Sequence, residues 1–298
     1  MNSTIPSLDP ILPPIRACIF DVDGLLINSE DMYTISTNTI LREYGKPDLP
    51  WNIKAQLQGR PGPEAGKIFQ AWAQLPISHS EFMSKQAALQ SKLFPTTAPL
   101  PGASSLLSTL SSPTTSPRPY LALATSSTTH NFKLKTSHLS SLLAPIPVTH
   151  RIRGDDPRVA AGRGKPAPDI YQLALKTINE GIREAGNGDE RPVRPEECLV
   201  FEDAVPGVEA GRRAGMQVVW VPNPGLRDEY REREAEVLAG KTGEFTGEES
   251  EVGKAEEGFL GQRVRGWPSE VDDGWAVQLE SLERFPYERY GLRVGEKL

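Results

Sequence analysis

Short runs of apolar residues recur along this chain of 298 residues, and stretches with helical spacing lie between them. Four of these runs have the length of a β-strand, and they cover residues 17–20, 120–124, 198–201 and 218–221. The runs do not alternate between apolar and polar side chains, which is typical of strands that are covered on both faces. One of the intervening helical faces is formed by Ile170, Leu173, Ala174 and Ile178. The pattern predicts an α/β fold with a parallel sheet.

An inserted domain is expected between the first two strands. About a hundred residues separate these strands, several times the length that a single crossover helix needs. Apolar positions at helical spacing within the segment indicate several helices. We therefore expect a small helical cap over residues 33–97, inserted between two core segments, residues 15–32 and 98–225.

A stretch rich in Glu and Gly follows the last predicted strand. Residues 226–258 hold eleven acidic and five basic side chains, and this difference accounts for the whole net charge of −6. The rest of the chain is balanced, so no broad basic face is expected for a nucleic acid polymer or an acidic membrane. We expect residues 226–271 to form a mobile, acidic low-complexity insertion on the surface, and residues 272–298 to complete the core.

Cysteine use and hydropathy favour an intracellular protein. The two cysteines, Cys18 and Cys198, each lie within an apolar run, where a buried thiol packs well and a disulfide is not expected. The N-terminal residues lack the charged and apolar regions of a secretory signal, and no apolar run approaches the roughly 18 residues of a membrane span. We expect a cytoplasmic, monomeric protein that does not bind membranes.

Acidic and polar side chains stand at the ends of three predicted strands. They form three pairs in chain order: Asp21 and Asp23, Thr125 and Ser126, Glu202 and Asp203. In an open parallel sheet, ligands bind outside the carboxyl ends of the strands. Lys165, in the segment GRGKPAPD before a predicted helix, can approach the same edge. The sequence therefore predicts one site that contains several carboxylates, a hydroxyl and an ammonium group.

Such a site needs a cation and suits a phosphate group. Clustered carboxylates repel one another unless a cation neutralises them, and hard oxygen ligands without His or Cys favour Mg²⁺. Mg²⁺, Lys165, the Thr125 hydroxyl and backbone N–H groups around Gly24 and Ser126 can hold a phosphate dianion. Gly24 also allows a tight turn beside the ligand.

Two carboxylates in one loop can divide the work of phosphoryl transfer. Asp21 can attack phosphorus to form an aspartyl-phosphate, because a carboxylate is a competent nucleophile towards this centre. Asp23 can then protonate the leaving oxygen and later take a proton from the attacking water.

Four segments in order, DVDG, LALATSS, GKPAPD and LVFEDAVPGVEAGRRAGM, resemble the four motifs of the haloacid-dehalogenase-like hydrolases. The resemblance implies a Rossmann-like core and a cap between the first two motifs. It also implies that Asp21 is the nucleophile and a metal ligand, and that Asp203 binds the metal. By the same resemblance, Asp23 is the acid and base, and its backbone carbonyl binds the metal.

Three further roles follow from this resemblance. Thr125 corresponds to the hydroxyl of the second motif, and Lys165 to the lysine that shields charge between phosphate and nucleophile. Glu202 corresponds either to a metal ligand or to an acceptor beside the metal. In the cap, GRPGPEAGK is interpreted as a loop that faces the active site, with Arg60 as a candidate substrate contact.

A narrower resemblance concerns the substrate. The segments FDVDGLL, FPTTAPLPGA, LALATSS, KLKTS and GDDP resemble those of pseudouridine-5'-phosphatases and related sugar phosphatases. This implies a Mg²⁺-dependent phosphatase for a small phosphorylated metabolite, with pseudouridine 5'-phosphate as the first expectation. Sugar and polyol phosphates, such as 2-deoxyglucose 6-phosphate or glycerol phosphate, come next.

Three functions other than phosphate ester hydrolysis fit the sequence less well. A sugar-phosphate mutase would use the same aspartyl-phosphate, but hexose-phosphate mutases of this superfamily carry a cap histidine where Tyr33 stands. A dehalogenase would need neither Mg²⁺ nor phosphate, which would leave Asp23 and Asp203 without a purpose. A non-catalytic binding protein is not favoured, because every expected catalytic side chain is present.

Overall fold

The computed structural model describes residues 12–60, 62–186, 190–243, 271 and 273–295. Within these residues, six parallel strands form one sheet in the order β3-β2-β1-β4-β5-β6. The strands are β1 (Ala17–Phe20), β2 (Tyr120–Ala124), β3 (Arg151–Ile152), β4 (Cys198–Glu202), β5 (Gln217–Trp220) and β6 (Ala276–Gln278). This is the strand order of a Rossmann sheet, so the prediction of an α/β fold with a parallel sheet is confirmed.

The four strands that the apolar runs predicted occupy the centre of the sheet. Ala17 of β1 pairs with Tyr120 on one side and with Cys198 on the other, so β1 is hydrogen-bonded along both edges. The outer strands β3 and β6 have two and three residues, and neither was predicted. Runs of this length are too short to carry a recognisable hydrophobic pattern.

Helices cover both faces of the sheet. The core helices are α5 (Ala103–Ser111), α6 (Thr129–Thr136), α7 (Ser140–Leu143), α8 (Asp169–Glu184), α9 (Val205–Arg213), α10 (Pro224–Glu229) and α11 (Glu234–Ala239). Ile19 and Val200 pack towards α8 and α9, whereas Phe20 and Phe201 pack towards α5 and stack on each other. Because successive residues of a strand face opposite sides, burial on both sides requires the continuous apolar runs.

The cap consists of four helices with a small hydrophobic core of their own. They are α1 (Ser29–Glu43), α2 (Trp51–Leu57), α3 (Gly62–Ala73) and α4 (His79–Leu93). Ile40, Leu41, Phe69 and Phe82 are buried between α1, α3 and α4. Since α1 begins at Ser29, the chain enters the cap only a few residues after Asp23.

The expected start of the acidic insertion at residue 226 needs correction. Leu226, Tyr230 and Val237 belong to the main hydrophobic core, and they lie on or beside α10 and α11. The apolar residues spaced along this charged segment bury one face, which composition alone did not reveal. The rest of the expected insertion, residues 244–270, lies outside the described residues.

The C-terminal segment adds to the core. β6 pairs with β5, and Phe285 packs with its ring 5.3 Å from Phe201 and 5.1 Å from Tyr290. Phe285 and Tyr290 therefore extend the hydrophobic cluster on the Phe20 face of the sheet. None of the described helices is long and apolar enough to cross a lipid bilayer.

Candidate active site

Three adjacent strands carry polar side chains to one edge of the sheet. The carboxyl ends of β1, β2 and β4 lie side by side, and buried polar side chains stand at or just beyond them. These side chains are Asp21, Thr125, Glu202 and Asp203, none more than 5% exposed. Lys165, from the loop before α8, is 1% exposed and reaches the same edge. Four distant parts of the chain thus meet in one buried site.

Three of the carboxylates form a cluster that can hold a metal ion. Asp21, Glu202 and Asp203 each offer one oxygen, and these atoms all lie within 4.8 Å of one another. The donor set contains only hard oxygen atoms, which suits a divalent cation such as Mg²⁺ or Ca²⁺ better than a soft metal. The cluster therefore fits a hard divalent cation and contains Asp21 and Asp203, two of the three predicted ligands, while the choice of Mg²⁺ stays a prediction.

Among the described residues, Lys165 provides the one ammonium group that bonds to this cluster. Its Nζ donates to Asp21 Oδ1 at 2.5 Å, to Glu202 Oε1 at 2.6 Å and to the carbonyl of Ala124 at 3.0 Å. Burial alone would lower the pKa of Lys165, but the two carboxylates outweigh this effect and raise it. Lys165 is therefore a permanent cation that holds Asp21 in place.

Glu202 is anchored through both of its oxygen atoms. Oε1 accepts from Tyr171 at 2.5 Å in addition to Lys165, and Oε2 accepts from the backbone N–H groups of Asp203 and Ala204 at 3.0 and 3.2 Å. These bonds fix the carboxylate at the end of β4. Glu202 therefore orients Lys165 and the backbone of Asp203 and Ala204. Direct binding of the metal by Glu202 stays a prediction.

The cluster carries more negative charge than Lys165 can neutralise. Burial raises the pKa of Asp21 to about 7, with a smaller opposing effect of Lys165 and a further increase from Glu202. Burial and the neighbouring Glu202 and Asp21 also raise the pKa of Asp203 well above its ordinary value. The metal-free cluster therefore takes up protons near neutral pH, and a divalent cation can replace them.

The carboxylate of Asp23 is not part of this cluster. Its oxygen atoms accept hydrogen bonds from four side chains, namely Ser29 at 2.5 Å, Ser127 at 2.8 Å, Thr125 at 3.1 Å and Lys135. Asp23 was predicted as a metal ligand through its backbone carbonyl, and that part stays a prediction. Burial alone would raise the pKa of Asp23, but Lys135 and the hydroxyl groups of Ser29 and Ser127 hold it below its ordinary value.

Lys135 is a buried cation that sequence analysis did not place in the site. It lies in the last turn of α6 and is completely buried beside Asp23. Side chains of a helix lean towards its N-terminus, which lets a residue near the end of α6 reach back to the strand end. The only signal in the sequence was the segment KLKTS, which contains this lysine and carried part of the resemblance.

Gly24 is required by the close approach of the carboxylates. Its φ angle is +79°, a conformation that L side chains rarely adopt, and a methyl group there would overlap Oδ2 of Asp203. The loop after β1 can therefore pass directly beside the cluster. The N–H of Gly24 itself donates to the carbonyl of Ile27 at 3.0 Å, so a contact between this loop and phosphate stays a prediction.

The cap closes directly over the cluster. Gln58, at the end of α2, donates from Nε2 to Asp203 Oδ2 at 2.5 Å, although it is only 5% exposed. Its Oε1 is buried and has no partner among the described residues. Next to it, Gly59 accepts a hydrogen bond from Ser126 Oγ at 3.3 Å. Gln58 was not predicted, since nothing in the sequence marks a single glutamine as a site residue.

Two predicted site residues, Arg60 and Ser126, form hydrogen bonds to backbone carbonyls of the cap. The Nε atom of Arg60 donates to the carbonyl of Gln56 at 2.6 Å, so this part of its guanidinium follows the cap backbone. The hydroxyl of Ser126 is directed to the cap, as described, while Thr125 bonds to Asp23. Their roles towards substrate and phosphate stay predictions.

The sequence of this chain is similar to a family of hydrolases and to several phosphatases. A family model described as haloacid dehalogenase-like hydrolase matches residues 15–215. A probable pseudouridine-5'-phosphatase of Saccharomyces cerevisiae is 44% identical over 227 residues, which cover 76% of this chain and 90% of the yeast protein. The mitochondrial (DL)-glycerol-3-phosphatase 1 of Arabidopsis thaliana is 35% identical over 241 residues, which cover 80% of this chain and 74% of that protein.

Solved structures show the same fold. A conserved haloacid dehalogenase-like protein of unknown function from Agrobacterium tumefaciens superposes with a TM-score of 0.57 and is 22% identical, with 74% of this chain and 91% of that chain covered. The match of the family model extends over more than half of the residues, and the sequence relatives agree with it. This chain therefore belongs to the haloacid dehalogenase-like hydrolases.

Proposed function

We propose that this hydrolase is a Mg²⁺-dependent phosphatase, which cleaves a small phosphomonoester through an aspartyl-phosphate on Asp21. The observation that carries the proposal is the buried cluster of Asp21, Glu202 and Asp203, with Lys165 bonded to Asp21. This arrangement pairs a nucleophile with a metal site and a fixed cation. Phosphoryl transfer needs all three, because its transition state carries charge on several oxygen atoms.

The first half of the reaction forms the aspartyl-phosphate. Lys165 occupies Oδ1 of Asp21, and Oδ2 accepts no hydrogen bond from the described residues, so Oδ2 is the atom that attacks phosphorus. The bond between phosphorus and the ester oxygen breaks, and its electron pair stays on the leaving oxygen. Bound Mg²⁺ would offset the charge of phosphate and nucleophile, with Asp21 and Asp203 as its expected ligands.

Asp23 moves the protons of the reaction. Its pKa is lowered in the free protein, and a phosphate dianion bound nearby raises it again, so that the carboxyl can carry a proton. Asp23 gives this proton to the leaving oxygen as the ester bond breaks. In the second half it takes a proton from water, which attacks phosphorus and releases Asp21 and inorganic phosphate.

We propose pseudouridine 5'-phosphate as the first substrate to test. The yeast relative is named a probable pseudouridine-5'-phosphatase, and the plant relative a glycerol-3-phosphatase. Glycerol phosphate is therefore one alternative, and 2-deoxyglucose 6-phosphate, which the sequence resemblance implied, is another. A mutase is not favoured, because Tyr33 fills the position of the cap histidine and accepts a hydrogen bond from Lys135 at 3.3 Å.

A panel of phosphate esters tests this proposal. We expect Mg²⁺-dependent release of phosphate, lost in EDTA, with the highest kcat/KM on pseudouridine 5'-phosphate among nucleotides, sugar phosphates and polyol phosphates. An Asp203→Asn variant serves as the control for metal dependence. Release of phosphate that survives EDTA, or no release from any ester, would contradict the proposal.

Two further properties complete the proposal. We expect a monomer in the cytoplasm, as the sequence predicted, and the described residues contain no helix that could span a membrane. Sedimentation of the purified full chain measures the first property, and localisation of a tagged chain in cells measures the second. A dimer at micromolar concentration would contradict the expected monomer.

A further inference from the structure

We propose that Lys135 is a positioning residue, which holds the carboxyl group of Asp23 in the place where it exchanges protons with the substrate and with water. The inference rests on the proposed phosphatase function and extends it to a residue outside the four motifs. The main observation is the salt bridge between Lys135 Nζ and Asp23 Oδ1. The side chain of Lys135 is completely buried, and that of Asp23 is 14% exposed.

All three N–H bonds of the Lys135 ammonium group are used inside the protein. They point to Asp23, to Ser127 Oγ at 2.5 Å and to the hydroxyl of Tyr33 at 3.3 Å. An ammonium group has three donors and no acceptor, so no N–H bond is left for a substrate oxygen. Lys135 therefore acts through Asp23 and does not bind phosphate.

The surroundings keep this ammonium group in one position. Its Nζ lies 5.1 Å from the ring centroid of Tyr33 and 5.3 Å from that of Phe94, and these rings also pack against each other. Thr97 donates from its hydroxyl to the backbone carbonyl of Lys135 at 2.6 Å. A buried cation is costly unless it is paired, so its presence beside Asp23 points to a specific role.

Lys135 differs from the other donors to Asp23. The hydroxyl groups of Ser29, Thr125 and Ser127 can each rotate their proton to a different acceptor. Lys135 is the only charged donor in this set, and its charge attracts the carboxylate in every orientation of the hydroxyl groups. We infer that Lys135 sets the position of Asp23 while the hydroxyl bonds exchange during the reaction.

This role has a consequence that depends on the leaving group. When the ester bond breaks, an alkoxide leaves only if Asp23 gives it a proton, whereas p-nitrophenolate is a weak base that leaves without one. A displaced Asp23 therefore slows the cleavage of an alkyl phosphate but not that of p-nitrophenyl phosphate. The parameter to compare is kcat/KM, because it reports the steps up to departure of the leaving group.

The test compares Lys135→Met with wild type on glycerol phosphate and on p-nitrophenyl phosphate. We expect kcat/KM to fall by about 10- to 100-fold for glycerol phosphate, as for partial loss of general acid catalysis, and by less than about 3-fold for p-nitrophenyl phosphate. Lys133→Met, on the exposed side of the same helix, is the matched control and should leave both values unchanged. An equal loss on both substrates, or no loss, would overturn the proposal.

If Lys135→Met does not fold, a double variant tests whether Lys135 acts through Asp23. The double variant Asp23→Asn with Lys135→Met removes both charges, and circular dichroism checks its fold. If Lys135 acts only through Asp23, the double variant retains the kcat/KM of Asp23→Asn on glycerol phosphate within about 3-fold. A further loss of about 10-fold or more would show a separate role and reject the inference. If wild type releases phosphate from no ester of the substrate panel, the proposed function fails instead.

Discussion

Two aspartates that are two residues apart have opposite electrostatic environments in this site. Asp21 lies among other carboxylates, and burial raises its pKa to about 7, whereas Lys135 and two hydroxyl groups lower the pKa of Asp23. Different surroundings of this kind allow chemically identical side chains to take different roles. At this scale, the nucleophile and the acid–base group are distinguished by their neighbours.

The assignment of Asp21 as nucleophile is tested by Asp21→Asn. An amide does not form the aspartyl-phosphate, so steady-state release of phosphate should fall below detection. The fold should persist, because removal of one buried charge relieves repulsion with Glu202 and Asp203. Thermal unfolding measures this second expectation. Measurable turnover by a folded variant would show that another group attacks phosphorus.

Gly207 is a second position where one methyl group should disturb the site. It lies in α9, and a Cβ atom there would overlap the carboxylate of Glu202. Gly207→Ala should therefore displace Glu202 and its bond to Lys165, and lower kcat/KM by about 10- to 100-fold, as for the loss of a group that orients metal ligands. Phosphate release on the best substrate measures the effect.

A matched glycine controls for the helical context. Gly66 lies within α3, which replaces the loop that the sequence predicted there, and a Cβ atom would make only an ordinary contact with His79. Gly66→Ala should leave kcat/KM unchanged and raise the free energy of unfolding by about 0.5–1 kcal/mol, because alanine favours the helix. If both alanine variants lost activity equally, the close approach at Gly207 would not be the cause.

At the scale of elements, the helix α10 after β5 packs against both the core and the cap. Gly225 in α10 lies so close to Trp51 of α2 that a Cβ atom would overlap the indole ring, and Leu226 beside it is completely buried. The position of the cap over the carboxylates thus depends partly on α10. The acidic composition of this segment had indicated a peripheral insertion.

Leu226→Ala measures this packing. The variant should lower the free energy of unfolding by about 2–5 kcal/mol, as for a fully buried leucine that leaves a cavity. Denaturant unfolding monitored by tryptophan fluorescence gives the value. Val148→Ala is the control, because Val148 is 71% exposed and should change stability by less than about 0.5 kcal/mol. Equal, small effects would show that α10 does not pack as described.

At the scale of the whole molecule, the buried charges link metal binding to stability. The pKa of Asp21 is higher in the folded, metal-free protein than in the unfolded chain, and that of Asp203 shifts in the same direction. Their protonated forms therefore stabilise the folded state at low pH, and this contribution is lost as the pH rises through about 7 for Asp21. The shift of Asp23 is opposite, and its effect lies at lower pH.

The increase in Tm caused by Mg²⁺ should consequently be larger at about pH 8 than at about pH 6, since at the lower pH the metal must displace protons. Thermal melts with and without Mg²⁺ at each pH measure the difference. Groups remote from the metal, such as His150, cancel in this comparison. Asp203→Asn, which removes an expected ligand, should reduce the Mg²⁺ effect on Tm at both pH values. An equal Mg²⁺ effect at both pH values would exclude coupling between the metal and these protons.

The central architecture follows from local patterns in the sequence. The apolar runs predicted the four central strands, because strands covered on both faces must be apolar throughout. The spacing between the first two runs indicated the inserted helices, and the motif residues lie at strand ends, where a parallel sheet binds ligands. The family prediction from these motifs is confirmed by the family model.

What the sequence by itself determined was therefore the central strands, the inserted helices and the polar residues at the strand ends, because each of these features is recognisable within its own part of the chain. Only the tertiary structure placed Lys135 on Asp23, Gln58 on Asp203 and Leu226 in the core. Each of these contacts joins residues far apart in sequence. A single lysine, glutamine or leucine carries no local pattern that distinguishes such a contact from a surface position, because its environment is created only when the chain folds.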